Sequence, residues 1–109
     1  MESYLRAYRK AVHKGRQLLN LELSLENQLR LYRILCFSLF NLRQPAEAVF
    51  YADLGLKLMP RDYRFRYYRA IAYQMLGRKQ EAKADFEVAL EEAPDEESRQ
   101  GLQEYFKFD

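Results

Sequence analysis

Arginine alternates with tyrosine and phenylalanine through residues 61–69, which gives this segment the clearest chemical character in the chain. Guanidinium groups bind carboxylates through paired hydrogen bonds, and arginine and tyrosine are enriched at interface hot spots. The same residue types bind single-stranded nucleic acid, since rings stack on bases while cations contact phosphates. On a helix, however, consecutive side chains point in different directions and cannot form one platform. The segment therefore favours protein binding over nucleic-acid binding.

Residues that could carry catalysis are few. His13 is the single histidine, and no aspartate or cysteine stands at the spacing of a triad or a metal site. Cys36 lies within an apolar stretch, which is typical of a core residue rather than a nucleophile. The sequence contains no glycine-rich phosphate loop, zinc pattern or paired catalytic carboxylates. We therefore predict a non-catalytic protein that needs no metal or cofactor.

Composition and charge limit the possible classes of protein. The 109 residues are 49% hydrophobic and 31% charged, as in a single folded domain. The net charge of +2 conceals an asymmetry: residues 1–69 contain 13 Lys/Arg and 6 Asp/Glu (net +7), whereas residues 70–109 contain 5 and 10 (net −5). This division predicts an acidic partner for the first part or head-to-tail association of copies, and the acidic half opposes a continuous phosphate track.

Targeting signals are not evident in the sequence. The most apolar stretch, 34–40, is interrupted by Ser38 and is too short to span a bilayer, and the N-terminal residues have no apolar segment of a secretory signal. A single cysteine cannot form an internal disulfide, which is typical of a reducing compartment. We therefore expect a cytoplasmic or nuclear protein without membrane contact.

The chain contains an internal repeat with a period of 34 residues between residues 29 and 94. A period of this length indicates stacked helix–turn–helix units. Apolar periodicity predicts helices at 3–20, 25–42, 45–58, 63–76, 79–93 and 96–106, the last with Leu102, Tyr105 and Phe106 on its apolar side. The matching residues are Arg30 with Arg64, Leu42 with Leu76, Glu47 with Glu81, Ala48 with Ala82, Leu56 with Leu90, and Pro60 with Pro94.

Local signals support these helix boundaries. We expect Ser24, Asp62 and Asp95 to cap helix N-termini, and we expect Gly77 to end a helix in the left-handed conformation. Pro45 suits a first helical turn. Glycine within a helix is costly, so Gly15 indicates close approach of a neighbouring helix. Ala48, Ala52 and Gly55 form a similar seam of small residues.

These residues resemble the tetratricopeptide repeat. The unit at 61–94 carries its pattern in Ala70, Tyr73, Gly77, Ala82, Phe86, Ala89 and Pro94. The unit at 25–60 carries it in Tyr32, Leu35, Cys36, Leu39, Ala48, Gly55, Leu56 and Pro60, with Arg43 in place of the turn glycine and Ala52 in place of Phe86. The resemblance implies an all-α, right-handed α-solenoid of antiparallel helix pairs, in which 1–24 is an N-terminal helix and 95–109 a capping helix.

The resemblance further implies a scaffold or adaptor whose concave groove is lined by the first helix of each unit. This groove would capture a segment with acidic and apolar side chains, and we expect Arg30, Arg33, Phe37, Arg64, Tyr67 and Tyr68 to contribute most of the binding. A chaperone-tail clamp is disfavoured, because Ile34, Phe37 and Ile71 stand where asparagine or a charge is needed. The full set of groove residues is Arg30, Arg33, Ile34, Phe37, Phe40, Asn41, Arg64, Tyr67, Tyr68, Ile71, Gln74 and Met75.

Two arginines depart from the family pattern, because Arg66 and Arg69 stand where large apolar residues are usual. We expect them to form ion pairs with Glu47 and Asp53 on the preceding helix, since buried guanidinium groups without partners are costly. Repacking by Phe65, Tyr67 and Tyr68 is the alternative. A second hypothesis for the whole domain is homo-oligomerisation, with the exposed side of the first helix buried against another copy.

Overall fold

The computed structural model describes residues 2–105, and its elements are six α-helices with no strand in that range. They are α1 (Glu2–Leu18), α2 (Leu25–Asn41), α3 (Pro45–Leu58), α4 (Tyr63–Met75), α5 (Lys79–Glu92) and α6 (Glu96–Tyr105). Each helix packs against the next helix in the chain, and a short segment connects the two. In addition, α2 contacts α4. The all-α prediction is confirmed, and the arrangement is an α-solenoid of helix pairs.

Helix boundaries agree with the local signals. The Ser24 hydroxyl accepts a hydrogen bond from the amide of Asn27 at 3.2 Å, and Asp95 accepts one from the amide of Ser98 at 2.7 Å. Pro45 is the first residue of α3. The first helix ends at Leu18, two residues before the predicted end, because the next residues form turns. Phe106 was predicted on the apolar side of α6 and lies outside the described residues.

The turns that follow α2 and α4 share one conformation although their residues differ. Gly77 has φ 77°, as its position after α4 predicts. Arg43 stands at the equivalent position after α2 and has φ 62°, a left-handed conformation that carries a cost for residues with a Cβ atom. Both repeats therefore need the same backbone bend, and only the second has the residue suited to it.

The core runs along the stack between the helix pairs. Leu35, Leu39 and Cys36 of α2 are fully buried, as is Phe65 of α4. A Cβ atom at Gly55 would lie 2.4 Å from two atoms of the Phe65 ring, so this glycine is required for the contact between α3 and α4. Gly15 similarly admits the side chains of Leu31 and Leu35 against α1. The predicted close packing at both glycines is confirmed.

None of the described helices combines the length and apolar character that crossing a bilayer requires.

Candidate partner-binding surface

Aromatic rings from α1, α2 and α4 form a continuous cluster on one face of the stack. Phe37 lies 5.3 Å from Phe40 and 6.3 Å from Tyr68 between ring centroids. Tyr68 lies 5.7 Å from Tyr67, and Tyr8 of α1 lies 5.9 Å from Phe37. We call Tyr8, Phe37, Phe40, Tyr67 and Tyr68 the aromatic cluster. It joins both repeats and extends to the N-terminal helix.

Tyr8 is absent from the predicted groove residues, although it lies within the helix predicted at 3–20. Helical periodicity places Tyr8 on a packed face, but it does not indicate how far that face extends past α2. Contact with Phe37 therefore emerges only from the packing of α1 on α2.

A shallow depression of about 270 Å³ opens beside this cluster. Both repeats contribute to it, because Tyr68 comes from α4 and the other residues come from α2. Phe37 and Ile34 are 44% and 45% exposed, which is unusual for large apolar side chains in a packed stack. Its lining consists of Arg30, Arg33, Ile34, Phe37, Ser38 and Tyr68.

Arg30 and Arg33 line the depression and Arg64 lies at the start of α4, and each of the three pairs with a carboxylate of this chain. Arg64 donates to Asp62 from Nε at 3.1 Å and from Nη2 at 3.3 Å. Arg33 approaches the same carboxylate at 3.6 Å. Arg30 forms an exposed ion pair with Glu26 at 3.3 Å, one helical turn earlier. Sequence reasoning identified Asp62 as a helix cap and missed its contact with two groove arginines.

Protonation at the depression follows from these contacts. The hydrogen bond that Arg64 donates to Asp62 raises the pKa of its guanidinium, although partial burial opposes the shift. Burial raises the pKa of the Tyr68 hydroxyl, and the positive charges of Arg64 and Arg33 oppose that change. Arg64 is therefore cationic at neutral pH, and Tyr68 keeps its proton and can donate a hydrogen bond.

The other predicted groove residues differ in how much surface they present. Phe40 and Ile71 are only 6% and 5% exposed, so they form the core beneath the surface and do not present side chains as predicted. The Asn41 amide donates to the carbonyl of Phe37 at 2.7 Å within its own helix. Gln74 is exposed, and Met75 is half-buried against the core.

Arg66 and Arg69 face α5, and their main partner is Asp85. Arg69 donates to the two oxygens of Asp85 at 2.7 and 2.8 Å, and it donates to Asp53 at 2.7 Å. Arg66 donates to Asp85 at 3.4 Å. Hydrogen bonding to Asp85 raises the pKa of Arg69 above its ordinary value, an effect that burial opposes.

The expected ion pairs are therefore partly confirmed and partly wrong. Asp53 does pair with Arg69, as predicted. Glu47 instead forms an ion pair with Arg16 of α1, and the carboxylate of Asp85 was not anticipated. Arg64 therefore pairs with Asp62, which also contacts Arg33 of α2, whereas Arg66 and Arg69 pair with Asp85 of α5.

Nucleophilic and metal-binding groups do not gather at this surface. Cys36 is fully buried, its thiol contacts the carbonyl of Ala48 at 3.4 Å, and burial raises the pKa of this thiol far above its ordinary value. The thiol is therefore a core group, as predicted. His13 is exposed on α1. Residues 2–105 contain no group of three or more histidine, cysteine or acidic side chains that could hold a metal ion.

Comparison with known families identifies one repeat of this stack. Residues 63–96, which span α4, α5 and the start of α6, match the tetratricopeptide repeat family. The resemblance stated from the sequence is thereby confirmed for this unit. No curated protein gives a significant match to the chain.

Proposed function

We propose that this chain, with a tetratricopeptide repeat at 63–96, is a non-catalytic module that captures an acidic and apolar segment of a partner protein between α2 and α4. One observation supports this proposal above the others: exposed apolar side chains and two arginines of α2 converge with Tyr68 of α4 on one depression of about 270 Å³. Tetratricopeptide repeats generally act in protein–protein interaction, which agrees with this role.

The chemistry of the depression supports a mixed ligand. Phe37 and Ile34 offer apolar area whose burial releases about 25 cal/mol per Å². Tyr68 contributes a rigid ring with a polar end, which suits an interface. Arg33 and Arg64 present donors that match a carboxylate. An acidic residue next to a large apolar residue would satisfy both parts of the surface.

Binding on this surface would need little rearrangement. The depression is bordered by helices whose packing is set by the buried core, so few residues lose freedom when a ligand binds. The ligand itself is expected to be an extended or helical segment of a protein in the cytoplasm or nucleus. In this role the chain is an adaptor domain.

A double substitution tests the proposal. Peptide arrays that vary acidic and apolar residues would provide a ligand, and fluorescence anisotropy would measure its affinity for each variant. Arg64→Ala with Tyr68→Ala should weaken binding by at least about 100-fold, because hot-spot truncations cost about 2 kcal/mol or more each. Circular dichroism should show that the helices persist.

The control is Arg61→Ala with Lys57→Ala, which removes two exposed cations outside the depression. This variant should bind the peptide as the wild type does. Equal binding by the wild type and the Arg64/Tyr68 variant would overturn the groove assignment.

Self-association is the second candidate function, and the surface of α1 supports it. Tyr4 and Leu5 are 69% and 40% exposed on a helix that also carries five Lys/Arg residues. A concentration series by light scattering separates the candidates. A strict monomer at high concentration would rule out self-association, whereas a mass that falls on Tyr4→Ala and Leu5→Ala substitution would support it.

A further inference from the structure

The carboxylate of Asp62 lies beside Arg33, which lines the depression, and it pairs with Arg64 as well. Its side chain is only 8% exposed, and it lies 3.6 Å from Arg33 and 3.1 Å from Arg64. The same carboxylate accepts the backbone N–H of Arg64 at 3.1 Å and caps α4. Arg33 belongs to the first repeat, so this one acidic group links the two repeats at the surface where a partner would bind.

The charge balance around Asp62 limits the number of carboxylates that a ligand can place there. Arg33 and Arg64 contribute two positive charges and Asp62 one negative charge, which leaves a single net positive charge. Arg30 adds little to this net charge, because Glu26 balances it. Both side chains are exposed, at 61% for Arg30 and 80% for Glu26, so solvent also screens their charges. One ligand carboxylate would therefore neutralise the site, and a second would lie close to Asp62 without a free cation.

We propose that Asp62 determines the charge specificity of the groove by restricting it to segments with one carboxylate next to an apolar side chain, and by rejecting adjacent carboxylates. This inference rests on the proposed function. Like charges placed together in a partly desolvated site are strongly unfavourable, so an internal carboxylate is an effective device for rejecting the wrong ligand.

The cap geometry makes a clean test possible. Asparagine caps helices about as well as aspartate, so Asp62→Asn removes the charge and keeps an oxygen for the Arg64 amide. Asp62→Ser offers a second variant, since serine already caps α2 at Ser24. Asp95→Asn is the matched control, because Asp95 accepts the Ser98 amide at 2.7 Å at the start of α6.

Two labelled peptides would serve as probes. Both contain the same leucine and phenylalanine residues, and one carries a single glutamate where the other carries two adjacent glutamates. We expect the wild type to prefer the peptide with one glutamate. Asp62→Asn and Asp62→Ser should shift the ratio of the two dissociation constants by about ten-fold toward the peptide with two glutamates. Asp95→Asn should leave the ratio unchanged.

The outcomes separate the two proposals. In one outcome, the wild type binds the peptides and the Arg64/Tyr68 variant does not, but the ratio of the two dissociation constants is the same in the wild type and in both Asp62 variants. This result refutes the role of Asp62 and leaves the groove assignment intact. An equal shift in Asp95→Asn would refute that role as well, since the effect would then be one of net charge. If the wild type binds neither peptide, or if the Arg64/Tyr68 variant binds them equally well, the proposed function itself fails and this inference with it.

Discussion

The two repeats use different chemistry at the same pair of positions. In the first repeat, Tyr32 and Tyr51 stack with ring centroids 6.2 Å apart and an angle of 26° between the rings. Thirty-four residues later these positions are Arg66 and Asp85, which form an ion pair at 3.4 Å. The helix pair therefore accepts either aromatic stacking or an ion pair, provided that both members change together.

The rest of this contact changes in the same way. Leu35 is fully buried in the first repeat, and its counterpart in the second is Arg69, which forms paired hydrogen bonds with Asp85. One carboxylate thus serves two guanidinium groups, whereas the first repeat needs no charge at these positions. Burying charges is costly unless they are paired, so the second repeat should depend on its single carboxylate more than the first depends on one ring.

Removing that carboxylate should have the largest effect. Asp85→Ala leaves Arg66 and Arg69 partly buried without their main partner, and we expect a loss of about 3 kcal/mol in unfolding free energy. Urea denaturation would measure the change. Asp53→Ala is the control, because Asp53 is 47% exposed and Arg69 keeps Asp85, so this loss should stay below about 1 kcal/mol.

Transplanting the first repeat's residues tests the same comparison in the other direction. The triple variant Arg66→Tyr, Arg69→Leu and Asp85→Tyr should recover the stability lost in Asp85→Ala, since well-packed apolar groups replace buried ion pairs at little or no cost. The Nε of Arg66 is buried without a hydrogen bond, which further favours the replacement. A triple variant as unstable as Asp85→Ala would show that the two repeats are not equivalent.

A substitution at the contact between the two repeats should have the next largest effect on stability. Gly55→Ala introduces the residue that the second repeat has at the equivalent position, Ala89, but its Cβ atom would lie 2.4 Å from the Phe65 ring. We expect a loss of about 2 kcal/mol from overpacking, measured by thermal unfolding. Gly101→Ala has no atom within 4 Å of the new Cβ and should instead gain about 0.5 kcal/mol. A stable Gly55→Ala variant would mean that α4 can shift along α3.

The turns provide a smaller and opposite pair of effects. Arg43→Gly gives the first repeat the turn residue of the second, and it should stabilise the protein by about 1 kcal/mol, since Arg43 has φ 62°. Gly77→Ala should destabilise it by a similar amount, about 1 kcal/mol, because φ is 77° there. Chemical denaturation of both variants would measure the two changes in unfolding free energy. Changes of the same sign would contradict the prediction that the two turns need the same left-handed conformation.

The smallest effect concerns the helix caps and pH. Ser24 caps the first repeat with a group that does not titrate, whereas Asp95 caps α6. The amide of Ser98, and then its hydroxyl, lower the pKa of Asp95, so its contribution is complete above the ordinary value near 3.8 and is lost as pH falls through the lower folded value. Circular dichroism between pH 5 and about pH 2 should show α6 weakening in the wild type. In Asp95→Asn this loss of helical signal at low pH should be smaller. If the pH profile of the variant equals that of the wild type, Asp95 is not the cause of the loss.

Sequence patterns predicted the helices with good accuracy and the ion pairs with less. The starts of five described helices were placed at the observed residue, because caps and prolines act within one turn of the chain. The pairing of Arg66 and Arg69 with Glu47 was wrong, since neighbouring helices place several carboxylates within reach. Comparing the repeats offered the missing signal, because Asp85 stands where the first repeat has Tyr51.

The candidate site was predicted in outline and corrected in detail. Periodicity placed Phe37 and Phe40 on one helix and assigned both to the groove. Both rings contact Tyr68 of α4, yet their exposed fractions are 44% for Phe37 and 6% for Phe40. How far one helix covers its neighbour depends on their offset and rotation, which a repeat pattern does not specify.

The sequence by itself determined that this chain is a stack of helix pairs, where five of its described helices begin, and that cationic and aromatic residues share the first helix of each unit. These features depend on local backbone preferences and on the period of apolar residues. Only the tertiary structure decided that Asp62 contacts Arg33 and Arg64, that Asp85 holds Arg66 and Arg69, and that Tyr8 joins the aromatic cluster. Each of these contacts joins groups whose separation is set by packing between helices, and packing at that level is a property of the whole core.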